Sequence, residues 1–246
     1  MTEMTENAPD EKREPPPSET LPVVDVDRHS RPANRGHTGD DRDDRGDHDG
    51  SSPDQPAVAG VLLAAGTSSR FGSENKLLTT VDGEAVVRRA ARTLLESDVD
   101  PVVAVLGYEA DRVRAALEGL PVETVVNEAY ETGQASSLRT GIRAIRDRKE
   151  ECEAALVALG DMPFVAPTTV NALLTAYAEN AGDAIAPAFE GVRGNPVLFD
   201  ERFFDALADV DGDIGGREIL LESDASVLVS VDDPGVRRDI DRPADL

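Results

Sequence analysis

The chain has no tryptophan, a single cysteine and three methionines, and only 4% of its residues are aromatic. With Cys152 alone, an internal disulfide and a thiolate-clustered metal site are both excluded. No apolar run approaches the roughly 18 residues that a membrane span needs, and residues 1–56 hold no apolar stretch of the signal-peptide kind. The expectation is a soluble, cytoplasmic protein. Lysine is nearly missing too. Lys12, Lys76 and Lys149 are the only lysines among 25 basic residues, which face 49 acidic ones. A net charge of −24 argues against nucleic acid and anionic membranes as partners, because their binders carry a basic footprint. Such an acid-rich, lysine-poor surface suits a halophilic setting, where molar salt shrinks the Debye length to about 3 Å and screens self-repulsion.

Histidine is absent from residue 57 onward; His29, His37 and His48 all precede it. Half of the 16 prolines also fall in residues 1–56, together with an acid-dense run at 40–49. Beyond the short apolar stretch 21–26, no helical or strand period is present there. Too little apolar surface is available to offset ordering entropy, so residues 1–56 read as a disordered acidic tail. A His-containing acidic tail can also hold metal, but a solvated tail is the simpler account.

Residues 57–246 read as one domain. The segments 57–65, 101–106, 154–159 and 226–231 are nearly continuous apolar runs, as strands buried on both faces should be. Between the first two, Val86, Val87, Ala90, Ala91, Leu94 and Leu95 share one helical face, opposite Arg88, Arg89 and Arg92. Helical patterns recur at 110–117, 136–148, 168–179 and 201–208. The alternation predicts an α/β fold, a doubly wound and mostly parallel sheet.

The most informative segment follows the first apolar run: Leu63, Ala64, Ala65, Gly66, Thr67, Ser68, Ser69, Arg70, Phe71 and Gly72, with Lys76 behind. A buried strand there ends in small residues at the sheet edge where such folds bind ligands. Gly66 and Gly72 let the backbone approach an anion, and Thr67, Ser68 and Ser69 offer hydroxyls beside N–H groups. Arg70 and Lys76 bring positive charge to a negative protein. The set suits a polyphosphate. It is not a P-loop, since Ser73 rather than lysine follows Gly72, and it lacks the spacing G-x-G-x-x-G.

This loop resembles the signature of nucleotidyltransferases with a Rossmann-like nucleotide-diphospho-sugar-transferase fold, the MobA-like NTP transferase superfamily. Within it, the chain is most similar to the molybdenum cofactor cytidylyltransferase type. Five later segments resemble that group's motifs: 127–138, 160–165, 194–199, 212–217 and the ending 239–246. The resemblance implies a Mg²⁺-dependent transfer of a nucleoside monophosphate, CMP from CTP, onto the phosphate of molybdopterin, releasing pyrophosphate. Guanylyl transfer, another phosphorylated acceptor, or a non-catalytic carrier serving a molybdenum enzyme are the other readings. Ala65, where guanylyl-type relatives tend to have glycine, narrows the base pocket towards a pyrimidine, although one methyl discriminates weakly.

By the same resemblance, Lys76 and Arg70 act on the phosphates. Residues 63–69, Gly72, Gly133, Ser136 and Ser137 face the nucleotide, with helix capping an equal rival for the two serines. Asp161, at the tip of the apolar run 154–159, is the main metal ligand, and Asp213 the second, with helix capping as its rival. Asn195 borders the acceptor pocket. Tyr130 and Tyr177 read as packing residues. The missing histidines fit this chemistry, because a phosphate monoester with a second pKa of about 6 is already ionised near neutrality and needs no base.

Overall fold

The computed structural model describes residues 21–26, 55–68, 71–72, 74–148, 152–210 and 216–246. Strand β1 is Val23–Val24 and β2 is Val58–Ala64. A small hairpin, β3 (Thr80–Val81) and β4 (Glu84–Ala85), leads into helix α1 (Val86–Leu95). Then come β5 (Val102–Leu106), α2 (Ala110–Leu117), β6 (Glu123–Val126), α3 (Gln134–Arg146) and β7 (Ala154–Leu159). Next are α4 (Pro167–Ala178), β8 (Ala184–Phe189), β9 (Val192–Arg193) and β10 (Val197–Asp200). The chain closes with α5 (Phe204–Asp209), α6 (Arg217–Glu222) and β11 (Ser226–Ser230).

The main sheet has the order β1-β11-β8-β10-β7-β2-β5-β6, with β9 on β8. The expected doubly wound, mostly parallel sheet is present, with two departures. The short β9 runs antiparallel to β8. Strand β10 enters antiparallel between β7 and β8. Alternation along β2 shows why both faces are covered. Val58, Leu62 and Ala64 join one apolar layer with α1, α2 and α4, while Ala59, Val61 and Leu63 join the other with α3, α5 and α6. Gly141 lets α3 lie directly on β2, since a Cβ there would stand 2.4 Å from Val61 Cγ1.

Chain order reverses around β2. It pairs with β5 on one side and with β7 on the other, both parallel. Such a reversal leaves a crevice at the carboxyl ends of the strands, between the loops that follow them.

The disordered-tail expectation needs a correction at Leu21–Val26. Val23 and Val24 pair in parallel with Leu228 and Val229, and Leu228 N donates to Pro22 O at 2.8 Å. Val24 and Val26 pack on one apolar layer and Leu21 on the other. A short apolar run that is unremarkable in isolation gains its partners from the exposed edge of β11. The rest of 1–54 lies outside the described residues. Removing 1–56 should therefore lower stability by about 1–3 kcal/mol, the worth of a few half-buried aliphatic side chains. Removing only 1–20 should not. Paired thermal melts check this, with pyrophosphate release unchanged because β1 sits at the far end of the sheet from β2.

Candidate active site

The crevice predicted by the reversal at β2 is a cleft of about 520 Å³. One wall is the loop after β2, with Ala65, Gly66, Thr67 and Ser68. Across from it stand Tyr130, Glu131, Gly133, Gln134 and Ser137, where α3 begins. Lys76, Asp161 and Asp241 complete the lining.

The loop after β2 is held from within. Ser68 takes a left-handed φ of 55° and is buried. Its Oγ receives a hydrogen bond from Lys76 N at 3.1 Å and lies 3.3 Å from Asn75 Oδ1. Asn75 Oδ1 in turn accepts from Leu77 N at 3.1 Å, capping the short turn Lys76–Leu78. Phe71, buried against Val86 and Ile240, anchors the far side of the loop. The backbone of Lys76 is therefore fixed before any ligand arrives.

The Lys76 ammonium donates to Asp161 Oδ2 at 2.6 Å and to Asp241 Oδ1 at 2.9 Å. Burial alone would lower its pKa, but the Asp161 carboxylate, and after it Asp241, more than offset this, so the pKa lies above the ordinary 10.5. A raised lysine pKa means its stabilising contribution is complete below 10.5 and is lost only as pH climbs past the higher folded value. Lys76 is thus a fixed cation across the physiological range.

Asp161, Asp239 and Asp241 each offer an oxygen within 4.8 Å of the others. Asp161 follows β7 across Gly160. The other two arrive from the end of the chain, where Ile240 N donates to Asp161 O at 2.9 Å. Ile240 is fully buried, so the flanking aspartates of Asp239-Ile240-Asp241 point together the opposite way, as alternate residues of an extended segment must. Asp245 Oδ2 secures this turn by accepting from the N–H groups of Asp241 and Arg242. Three hard carboxylate oxygens, those of Asp161 and Asp241 already drawn to one ammonium, fit a divalent cation that shares its coordination with substrate phosphates.

The expected residues are placed as follows. Leu63, Ala65, Gly66, Thr67, Ser68, Lys76, Gly133, Ser137 and Asp161 all line the cleft. Ala64 turns into the core, and exposed Gly72, at φ 99°, serves the turn. Ser136 Oγ donates to Ala129 O and Gly133 O and accepts from Asn127 Nδ2, so it ties the preceding turn to the start of α3 without capping a helix N–H. Tyr130 lines the cleft beside the Tyr108 ring, whereas Tyr177 donates to Asp200 Oδ2 on another surface. Ser69, Arg70 and Asp213 lie outside the described residues. Asn195 lines a second cavity of about 340 Å³ with Arg193, Phe199 and Arg217. That cavity shares Leu63, Gln134 and Leu159 with the first, so the two adjoin.

Sequence reasoning gave no role to Asn127, Asp239 or Asp241. Asn127 Nδ2 donates to the hydroxyls of both Ser136 and Ser137, fixing the start of α3. For the aspartates the signal was available, in two acids flanking one large apolar residue.

The chain matches the family model of the MobA-like NTP transferase domain over residues 60–237. It is 34% identical over 197 residues to nicotine blue oxidoreductase of Paenarthrobacter nicotinovorans, covering 76% of this chain and 94% of that one. A probable molybdenum cofactor guanylyltransferase of Natronomonas pharaonis is 33% identical over 114 residues, 46% of this chain and 54% of the relative. Among solved structures, Rv0371C of Mycobacterium tuberculosis in complex with manganese superposes with a TM-score of 0.65 at 26% identity, over 77% of this chain and 95% of that one. With sheet, cleft and sequence in agreement, the chain belongs to the MobA-like NTP transferase domain family and is a nucleotidyltransferase.

Proposed function

We propose that the protein transfers CMP from CTP to the phosphate of a molybdopterin-type acceptor, with Mg²⁺, in the cytoplasm. The observation that carries this reading is the meeting of Lys76 with Asp161 and Asp241 at the cleft, beside a second cavity for an acceptor. An oxygen of the acceptor phosphate forms a bond to the α-phosphorus while the bond to the β-phosphate breaks, and pyrophosphate leaves. Charge grows on the equatorial and leaving oxygens, so positioning and electrostatic stabilisation do the chemistry.

The start of α3 at Gln134 turns the positive end of a helix into the cleft. Lys76 supplies a full positive charge on a backbone held by Ser68 and Asn75. Arg70, from the same loop, is assigned to the β- and γ-phosphates, for which its planar fork is suited. Asp161 with Asp239 and Asp241 would hold the divalent cation, which when bound neutralises phosphate charge. Asp213, expected as second ligand, remains a proposal outside the described residues. No side chain from residue 57 onward is a histidine, consistent with an acceptor that arrives ionised.

Ala65, buried in the wall of the cleft, supports CTP over GTP. Purified protein with Mg²⁺ and molybdopterin in molar KCl should release pyrophosphate from CTP about tenfold faster than from GTP, the modest ratio that one methyl group can give. A GTP preference would replace cytidylyl by guanylyl transfer. Release from neither nucleotide would move the acceptor to another phosphorylated metabolite or leave the carrier role.

A further inference from the structure

Asp233 lies between β11 and the C-terminal aspartates and touches neither cavity, yet three separate partners converge on its carboxylate. Oδ2 accepts from Ala166 N at 2.9 Å and from Thr169 Oγ1 at 2.6 Å. Oδ1 accepts from Gly235 N at 2.8 Å. Ala166 precedes α4 and has no side chain able to cap it, so the helix borrows its N-terminal acceptor from across the fold. A carboxylate suits that place, because the positive end of a 12-residue helix faces it.

The two segments that Asp233 joins are those that carry the carboxylates of the cleft. The loop after β7 bears Asp161 at one end and Ala166 at the other. The C-terminal segment bears Asp233 at one end and Asp239 and Asp241 at the other. They are tied near the cleft by Ile240 N to Asp161 O. Between the ties they lie in contact: a Cβ at Gly235 would stand 2.0 Å from Phe164 O, and the Arg238 guanidinium lies 3.9 Å above the Phe164 ring. Asn195 N also donates to Val236 O at 2.9 Å, which brings the acceptor-side loop onto the same turn.

We infer that Asp233 is a positioning residue: it clamps the loop after β7 to the C-terminal segment and so sets the spacing between Asp161 and the Asp239–Asp241 pair. The inference rests on the metal reading of those carboxylates. Without the clamp each segment keeps its own hydrogen bonds, but the oxygens no longer meet at one distance, and an ion that demands fixed geometry loses affinity.

The test is calorimetric titration of the full-length protein with Mn²⁺ in molar KCl, which screens the acidic surface. Asp161→Asn defines binding that does not belong to the site. Asp233→Ala should weaken the Asp161-dependent affinity about tenfold or more, as supporting residues of metal sites do. Asp233→Glu should recover part of it. In turnover, half-maximal activation should move to higher metal concentration while the rate at saturating metal is largely regained. A folded Asp233→Ala protein with wild-type Mn²⁺ affinity overturns the inference, whatever its thermal midpoint. If that variant does not fold, Thr169→Val decides: about threefold weaker Mn²⁺ binding, from one lost hydrogen bond, supports the clamp, and no change overturns it. Wild-type protein showing no Asp161-dependent Mn²⁺ binding would overturn the metal reading itself, and the clamp with it.

Discussion

Asp161→Asn is expected to lower pyrophosphate release by about 10³-fold, equivalent to about 4 kcal/mol of lost transition-state stabilisation. The substitution keeps shape and removes only charge. The backbone role survives, since Ile240 N bonds to the carbonyl of residue 161 and not to its side chain. Asp161 is about one-fifth exposed, and its ion pair with Lys76 is shared with Asp241, so the stability cost should stay near 1 kcal/mol. A large kinetic loss with a small shift in the thermal midpoint is the signature of a residue that serves the reaction. Turnover within a few-fold of wild type would remove Asp161 from the site, and the functional reading with it.

Lys76→Met should have two effects of opposite sign. Turnover should fall by about 10²–10³-fold, because an aimed positive charge at the developing oxyanions is gone. Mn²⁺ affinity in the absence of nucleotide should rise about tenfold. The ammonium stands at 2.6 Å and 2.9 Å from the carboxylates a metal would use, so a divalent cation must compete with it. The gross attraction at such distances is several kcal/mol per pair at an effective dielectric near 20, but two aspartates left unpaired are more heavily hydrated. About 1.4 kcal/mol of net competition gives the tenfold figure. The triphosphate should relieve the same competition in wild-type protein by drawing Lys76 onto its own oxygens. Adding CTP should then tighten Mn²⁺ binding in wild type by a larger factor than in Lys76→Met. Weaker Mn²⁺ binding in the variant would show that the lysine supports the cation and does not rival it.

Much of this was legible in the residues. The apolar runs at β2, β5, β7 and β11 were each located to within a residue or two, because strands buried on both faces must be apolar throughout. Helix α2 was bounded as observed, since its face repeats at helical spacing. Strands β6, β8 and β10 were not read. β6 is an exposed edge strand, β8 carries Pro187, and β10 is only four residues long and ends in Asp200. None has a local period that separates it from a loop.

In the site, the strand-end rule located Asp161 and the loop chemistry located Lys76, both from neighbours within a few positions. What those two would meet was beyond such reasoning. Asp241 is 80 residues from Asp161 and 165 from Lys76, and Asp233 is 67 from Ala166. Residue type and short-range periodicity determined the buried central strands and the amphipathic helices, and singled out the loop after β2 and the turn after β7 as candidates for phosphate and metal. The tertiary structure alone decided which carboxylates share a cation's reach, because that depends on a strand inserted antiparallel beside β7 and on where the last residues return. No local preference of the chain encodes those distances; they are set by burying both faces of one sheet at once.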